Sequence, residues 1–97
     1  MTNFDRVVEF HQAMGLPVRE HPVWLQTSRE HLRMRLILEE ASELANAYAK
    51  QDYIEVADAL ADLLYVVYGT AAEHGIDIDR VFEEVHRSNM TKGITNY

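Results

Sequence analysis

The stretch EVADALADLLYVVYG, from Glu55 to Gly69, constrains this fold more than any other. It is strongly apolar and stays helical in character up to its final glycine, yet it carries carboxylates at Glu55, Asp58 and Asp62. At spacings of three and four these acids occupy an arc of roughly 60° on an α-helix, and Tyr65, Val66 and Gly69 extend the same side. Beyond Asp62 the segment is apolar on nearly every side, the mark of a central, buried helix. Carboxylates in such a setting cost free energy unless bases, protons or metal neutralise them.

A second acidic patch precedes it. In LILEEASELA, Glu39, Glu40 and Glu43 share an arc of roughly 100°. Leu32, Leu36 and Ala47 lie in or near that arc, so the acids interrupt a stripe that is apolar above and below them. Arg33 and Arg35 point to either side of the patch and Arg29 sits near the helix start, too few bases for five or six acids. A divalent cation between the two helices is the economical solution, and an all-oxygen ligand set suits Mg2+ or Mn2+ rather than zinc. A salt-bridged structural network is the competing explanation.

Helical periodicity runs through the rest of the chain, and no segment shows the sustained alternation of a half-buried strand. An all-α protein is expected. A first helix covers Phe4 to Met14 and stops at Gly15-Leu16-Pro17. The segment PVREHPVWLQ, with two prolines and no clear period, reads as a loop. Thr27 and Glu30 have capping-box spacing, so a second helix is expected from Thr27 to about Lys50. After the short link Lys50-Gln51-Asp52 a third helix runs to His74 and ends at Gly75, making an antiparallel hairpin with the second. Asp77 is the expected N-cap of a fourth helix, from Ile78 to about Met90, with Val81, Phe82 and Val85 facing inward. Gly93 closes it and a polar tail follows.

The 97 residues, 47% hydrophobic and 26% charged, suit one folded domain spanning 1–97. A net charge of -7 argues against nucleic acid as a partner, because phosphate backbones are bound by clusters of lysine and arginine. No cysteine is present, which removes disulfides, thiol nucleophiles and thiolate metal sites, and a cytoplasmic location is expected. The longest apolar run, near Leu63 to Ala72, is too short to span a membrane.

The element EEASE at Glu39–Glu43, followed by EVADALADLLYVVYG and later by SNMTK, resembles the all-α nucleoside triphosphate pyrophosphohydrolases: MazG, dimeric dUTPase and phosphoribosyl-ATP pyrophosphohydrolase. The resemblance covers about Phe4 to Lys92 and is nearest to the short MazG-like, phosphoribosyl-ATP-pyrophosphohydrolase-like branch. It implies a four-helix subunit in which the first motif and a Glu-x-x-Asp on the next helix bind Mg2+, while water attacks a phosphorus and pyrophosphate leaves. Glu39 and Glu43 are then metal ligands, and Glu40 is a ligand or the base for the attacking water. The second motif is ambiguous. Glu55 and Asp58 have the Glu-x-x-Asp spacing and are taken as the main pair, whereas the aspartate before LLY is Asp62, with Ala59 where the glutamate would stand; Asp62 is kept as a ligand or a support behind the ligands.

Asn89 and Lys92 match an Asn-x-x-Lys element and become candidates for phosphate or nucleotide contact, with Arg87 as a further one, although a lysine in a last helical turn also suits the helix dipole. The resemblance further implies a homodimer, or a tetramer made from two, consistent with the apolar surface that Leu64, Val67, Tyr68 and Ala71 offer. Trp24 could stack on a nucleobase or close over a neighbouring subunit's site, or simply pack. His11, His21, His31, His74 and His86 form no zinc-type pair, and no glycine belongs to a P-loop. The leading expectation is a Mg2+-dependent hydrolase converting a nucleoside triphosphate, such as a dUTP-like one, to its monophosphate and pyrophosphate. The alternative is a noncatalytic dimeric helical module that binds nucleotide or protein.

Overall fold

The computed structural model describes residues 1–93 and contains four helices: α1 (Asn3–Ala13), α2 (Thr27–Lys50), α3 (Tyr53–His74) and α4 (Ile78–Lys92). The described residues contain no strand, as the periodicity requires. The polar tail expected after Gly93 lies outside the described residues.

Local chemistry explains where the helices begin. At α1 a capping box forms that the sequence reading passed over: Thr2 Oγ1 accepts from the Asp5 amide at 3.1 Å, and the Thr2 amide donates to Asp5 at 2.9 Å. The box expected at Thr27 and Glu30 does not form. Gln26 is the N-cap, and its carbonyl accepts from the amides of both Arg29 and Glu30, at 2.9 and 3.0 Å. Thr27 is thereby already inside the first turn, and the amide it would have capped is taken. Asp52 and Asp77 cap α3 and α4, accepting from the amides of Glu55 and Arg80.

The hairpin of α2 and α3 is closed by Gln51 in the left-handed region, at φ 54°, whose amide reaches back to the last turn of α2. α1 also packs on α3, beside α2 at Gly69, and the core is small: Val7, Leu25, Ala47, Ala59, Ala71 and Ala72 are buried. Alanines at these contacts bring the helix axes close together. The loop 14–26 returns along the C-terminal end of α3, tied by Arg19 N to Ala72 O at 3.0 Å and Val23 N to His74 O at 2.9 Å. Gly75 is needed twice there. Its φ is +75°, and a Cβ at this position would lie 2.2 Å from the His21 carbonyl oxygen.

Two expectations about burial fail. Only the sides of α3 facing α1 and α2 are covered: Leu64 and Val67 stay exposed within one chain, as expected, but so do Leu60 and Tyr65 of the helix expected to be buried, whereas Ala71, expected at the surface, is buried. Tyr68 is half-buried, packed against the Phe4 ring. Val81, Phe82 and Val85 of α4 do not face inward. The helix leads away after Asp77, packs thinly on the others and buries none of its residues, leaving Phe82 68% exposed.

Candidate metal centre

α2 and α3 run antiparallel with their acidic faces toward one another. Glu40, Glu43 and Asp62 each offer a carboxylate oxygen, and the three oxygens lie within 4.8 Å of one another. Glu40 is half-buried, and its Oε2 is shut off from solvent without a hydrogen-bond partner among the described residues. Desolvation pushes its carboxyl above the usual range, and the charges of Glu43 and Asp62, a hydrogen bond shared with Glu43, and Glu39 push the same way. Three acids this close repel, and among the described residues no lysine, arginine or histidine forms an ion pair with any of them.

Two of the three arginines of α2 are engaged away from the acids. Arg29 and Arg33 converge on Glu73, which is fully buried near the end of α3. Arg29 donates to both carboxylate oxygens at 3.1 and 2.7 Å, and Arg33 donates to one at 3.0 Å. Arg33 also reaches Thr70 Oγ1 at 3.1 Å and the Val66 carbonyl at 2.9 Å. Burial holds its guanidinium below the ordinary arginine range, with Glu73 opposing the shift and the neighbouring Arg29 charge adding to it. Arg19 closes the group by donating to the Glu73 carbonyl.

The remaining candidates fall into separate places. Glu39 is exposed and lies 3.7 Å from Arg35. Glu55 lies 3.5 Å from Lys50, and both line a cleft of about 310 Å3 together with Asp58, Glu43 and Asn46. Glu43 therefore borders both the cleft and the three-acid cluster, while Asp62 is the α3 acid that joins Glu40. Arg87 pairs with Glu84, and neither Arg87, Asn89 nor Lys92 lines the cleft. Trp24 is 88% exposed, its ring edge-on to His74 with centroids 6.4 Å apart. His74 is three helical turns, about 18 Å, beyond Asp62, so within one chain Trp24 stands well away from the acids.

Glu73 escaped the sequence reading, although a signal existed. It follows Asp62 by eleven residues, about three full turns, and so continues the acidic face of α3, just as Arg29 precedes Glu40 by eleven on α2.

The geometry of a four-helix chain with acids facing across its central hairpin is that of the all-α, MazG-like fold class. Residues 7–89 match the phosphoribosyl-ATP pyrophosphohydrolase family, and the chain belongs to that family. A relative from Acanthamoeba polyphaga mimivirus, "Uncharacterized protein L479", is 34% identical over 102 residues. The match takes in 99% of this chain and 41% of that protein, so the chain spans about two-fifths of its relative's length.

The donor set suits a hard divalent cation: carboxylate oxygens only, close together, with one buried oxygen lacking a partner. Such a cluster can hold a metal ion.

Proposed function

We propose that this chain is a single-domain, Mg2+-dependent pyrophosphohydrolase that converts a nucleoside triphosphate, of a non-standard kind such as dUTP, to its monophosphate and pyrophosphate. The observation that carries the proposal is the buried, partnerless Oε2 of Glu40 within a three-acid cluster that no base neutralises. Family membership supports phosphoanhydride chemistry and leaves the substrate open.

Glu40, Glu43 and Asp62 hold the cation, Mg2+ or Mn2+. When bound, the ion neutralises charge on the phosphoryl oxygens and orients water for in-line attack. Glu40 either completes this ligand set or takes the proton of the attacking water. The water oxygen bonds to phosphorus, the anhydride bond breaks and pyrophosphate departs. Glu55 and Asp58 would serve a cation that the triphosphate carries into the adjoining cleft, with Glu39 as a further ligand at its margin. Arg87, Asn89 and Lys92 contact phosphate. The exposed apolar side chains of α3 and α4 support a homodimer, or a tetramer, in which Trp24 approaches a neighbouring subunit's nucleotide.

The alternative of a noncatalytic module rests on bases neutralising the acids; Arg35 and Lys50 reach Glu39 and Glu55, but Arg29 and Arg33 are engaged by Glu73 and none of the four reaches Glu40, Glu43 or Asp62. A nucleotide panel with Mg2+, read by pyrophosphate release, tests the proposal. Release should be lost in Glu40→Gln and Asp62→Asn, and rates unchanged in both variants would end the assignment.

A further inference from the structure

We infer that the buried Arg29–Arg33–Glu73 cluster sets the α2–α3 register that brings Glu40 and Glu43 to Asp62, with Arg33 as the principal positioning residue. That the gathered acids bind a cation rests on the functional reading above; that their spacing is fixed from a distance does not.

Glu40 lies eleven residues after Arg29, and Asp62 eleven before Glu73. Eleven residues make about three turns and a rise of about 16 Å, so each pair faces the same way and both obey one antiparallel register. A slip by one turn, about 5.4 Å, would undo the ion pair and the acid cluster together. The other end of the hairpin is held by the two-residue link at Gln51 and Asp52, so the helices are tied on both sides of three acids whose repulsion drives them apart.

Arg33 is suited to this task because its donors are spent on three fixed points of α3: the Val66 carbonyl, Thr70 Oγ1 and Glu73 Oε2. A planar guanidinium satisfying points spread over two turns admits one axial position, which an apolar contact does not dictate. Gly69 makes the approach possible. A Cβ there would lie 2.6 Å from Arg33 Nη2 and 2.8 Å from His11 Nε2. Buried ionic groups find their best-attested use in specifying registry rather than in adding stability.

The test uses the full chain, whose lack of cysteine lets two introduced ones be labelled uniquely. Spin labels at Ser42→Cys and Ala57→Cys, both exposed, report the helix separation, with unlabelled protein in excess to suppress distances between subunits. Arg33→Lys retains the charge and loses the fork. The triple variant Arg29→Met, Arg33→Met, Glu73→Leu removes all buried charge and guards against simple unfolding. Without metal, the parent should give one narrow distance and both variants a broadened or shifted one, while remaining helical by circular dichroism. Mn2+ titration, followed by its paramagnetic resonance signal, should show affinity falling about 10- to 100-fold in both variants. A distance unchanged in the triple variant, or Mn2+ affinity within about twofold of the parent, would overturn the inference. Absence of Mn2+ binding in the parent would instead overturn the metal reading, and the metal-free distances still decide the register.

Discussion

Arg33 on α2 and Glu73 on α3 meet at 3.0 Å inside the protein, the carboxylate wholly buried and the arginine side chain 8% exposed. Removing one partner of such a pair leaves the other charge uncompensated in a medium that solvates it poorly. Glu73→Gln should therefore lower unfolding stability by about 3 kcal/mol, measured by urea denaturation, a large share of what a domain this size possesses. A loss below about 1 kcal/mol would show that water reaches the site.

Gly69 is the point where side chains from α1 and α2 meet across α3. Gly69→Ala gains helix propensity and would be stabilising on an open face. Here its methyl group would meet Arg33 and His11, so a net loss of about 1–3 kcal/mol is expected in thermal or chemical unfolding.

Gln51 adopts φ 54° at the hairpin tip, a conformation that glycine takes without steric cost. Gln51→Gly should stabilise the protein by about 0.5–1 kcal/mol, the strain relieved slightly exceeding the added entropy of the unfolded chain. An equal loss would mean that the Gln51 side chain contributes packing of its own.

The acid cluster gives a pH dependence of definite sign. The carboxyl of Glu40 is raised above its ordinary 4.5, so the folded protein binds its proton more tightly than the unfolded chain does. The stability this proton confers is fully present below 4.5 and is lost as pH rises through the higher folded value. In metal-free protein at neutral pH, Glu40→Gln should thus raise stability, by up to about 1 kcal/mol, and the advantage should vanish on acidification below 4.5. Denaturation curves across that range check it, and the same variant should be inactive as a hydrolase.

Much of the fold was written in local signals. The 3.6-residue period, Gly15 before Pro17, Asp77 as a cap and Gly75 as a stop mark helices within a residue or two of where they lie. Thr27 misled because the competing N-cap, Gln26, acts through its carbonyl, which every residue possesses. The burial of α3 and α4 was misjudged because apolar residues record that a surface will be covered without recording by what, and one chain leaves Tyr65 and Phe82 open. The acids were visible at Glu40, Glu43 and Asp62 by spacing. Which α3 acid meets Glu40 depends on the register of two helices, and that register is set by contacts between residues some forty positions apart, Arg33 and Glu73 among them.

Calorimetric titration of the metal-free protein with Mn2+, alongside Glu43→Gln and Asp62→Asn, addresses the metal centre without needing the right nucleotide. Saturable binding in the parent, weakened at least about tenfold in each variant, is the expected result. Heats that show no saturable site, or a site indifferent to both substitutions, would contradict it.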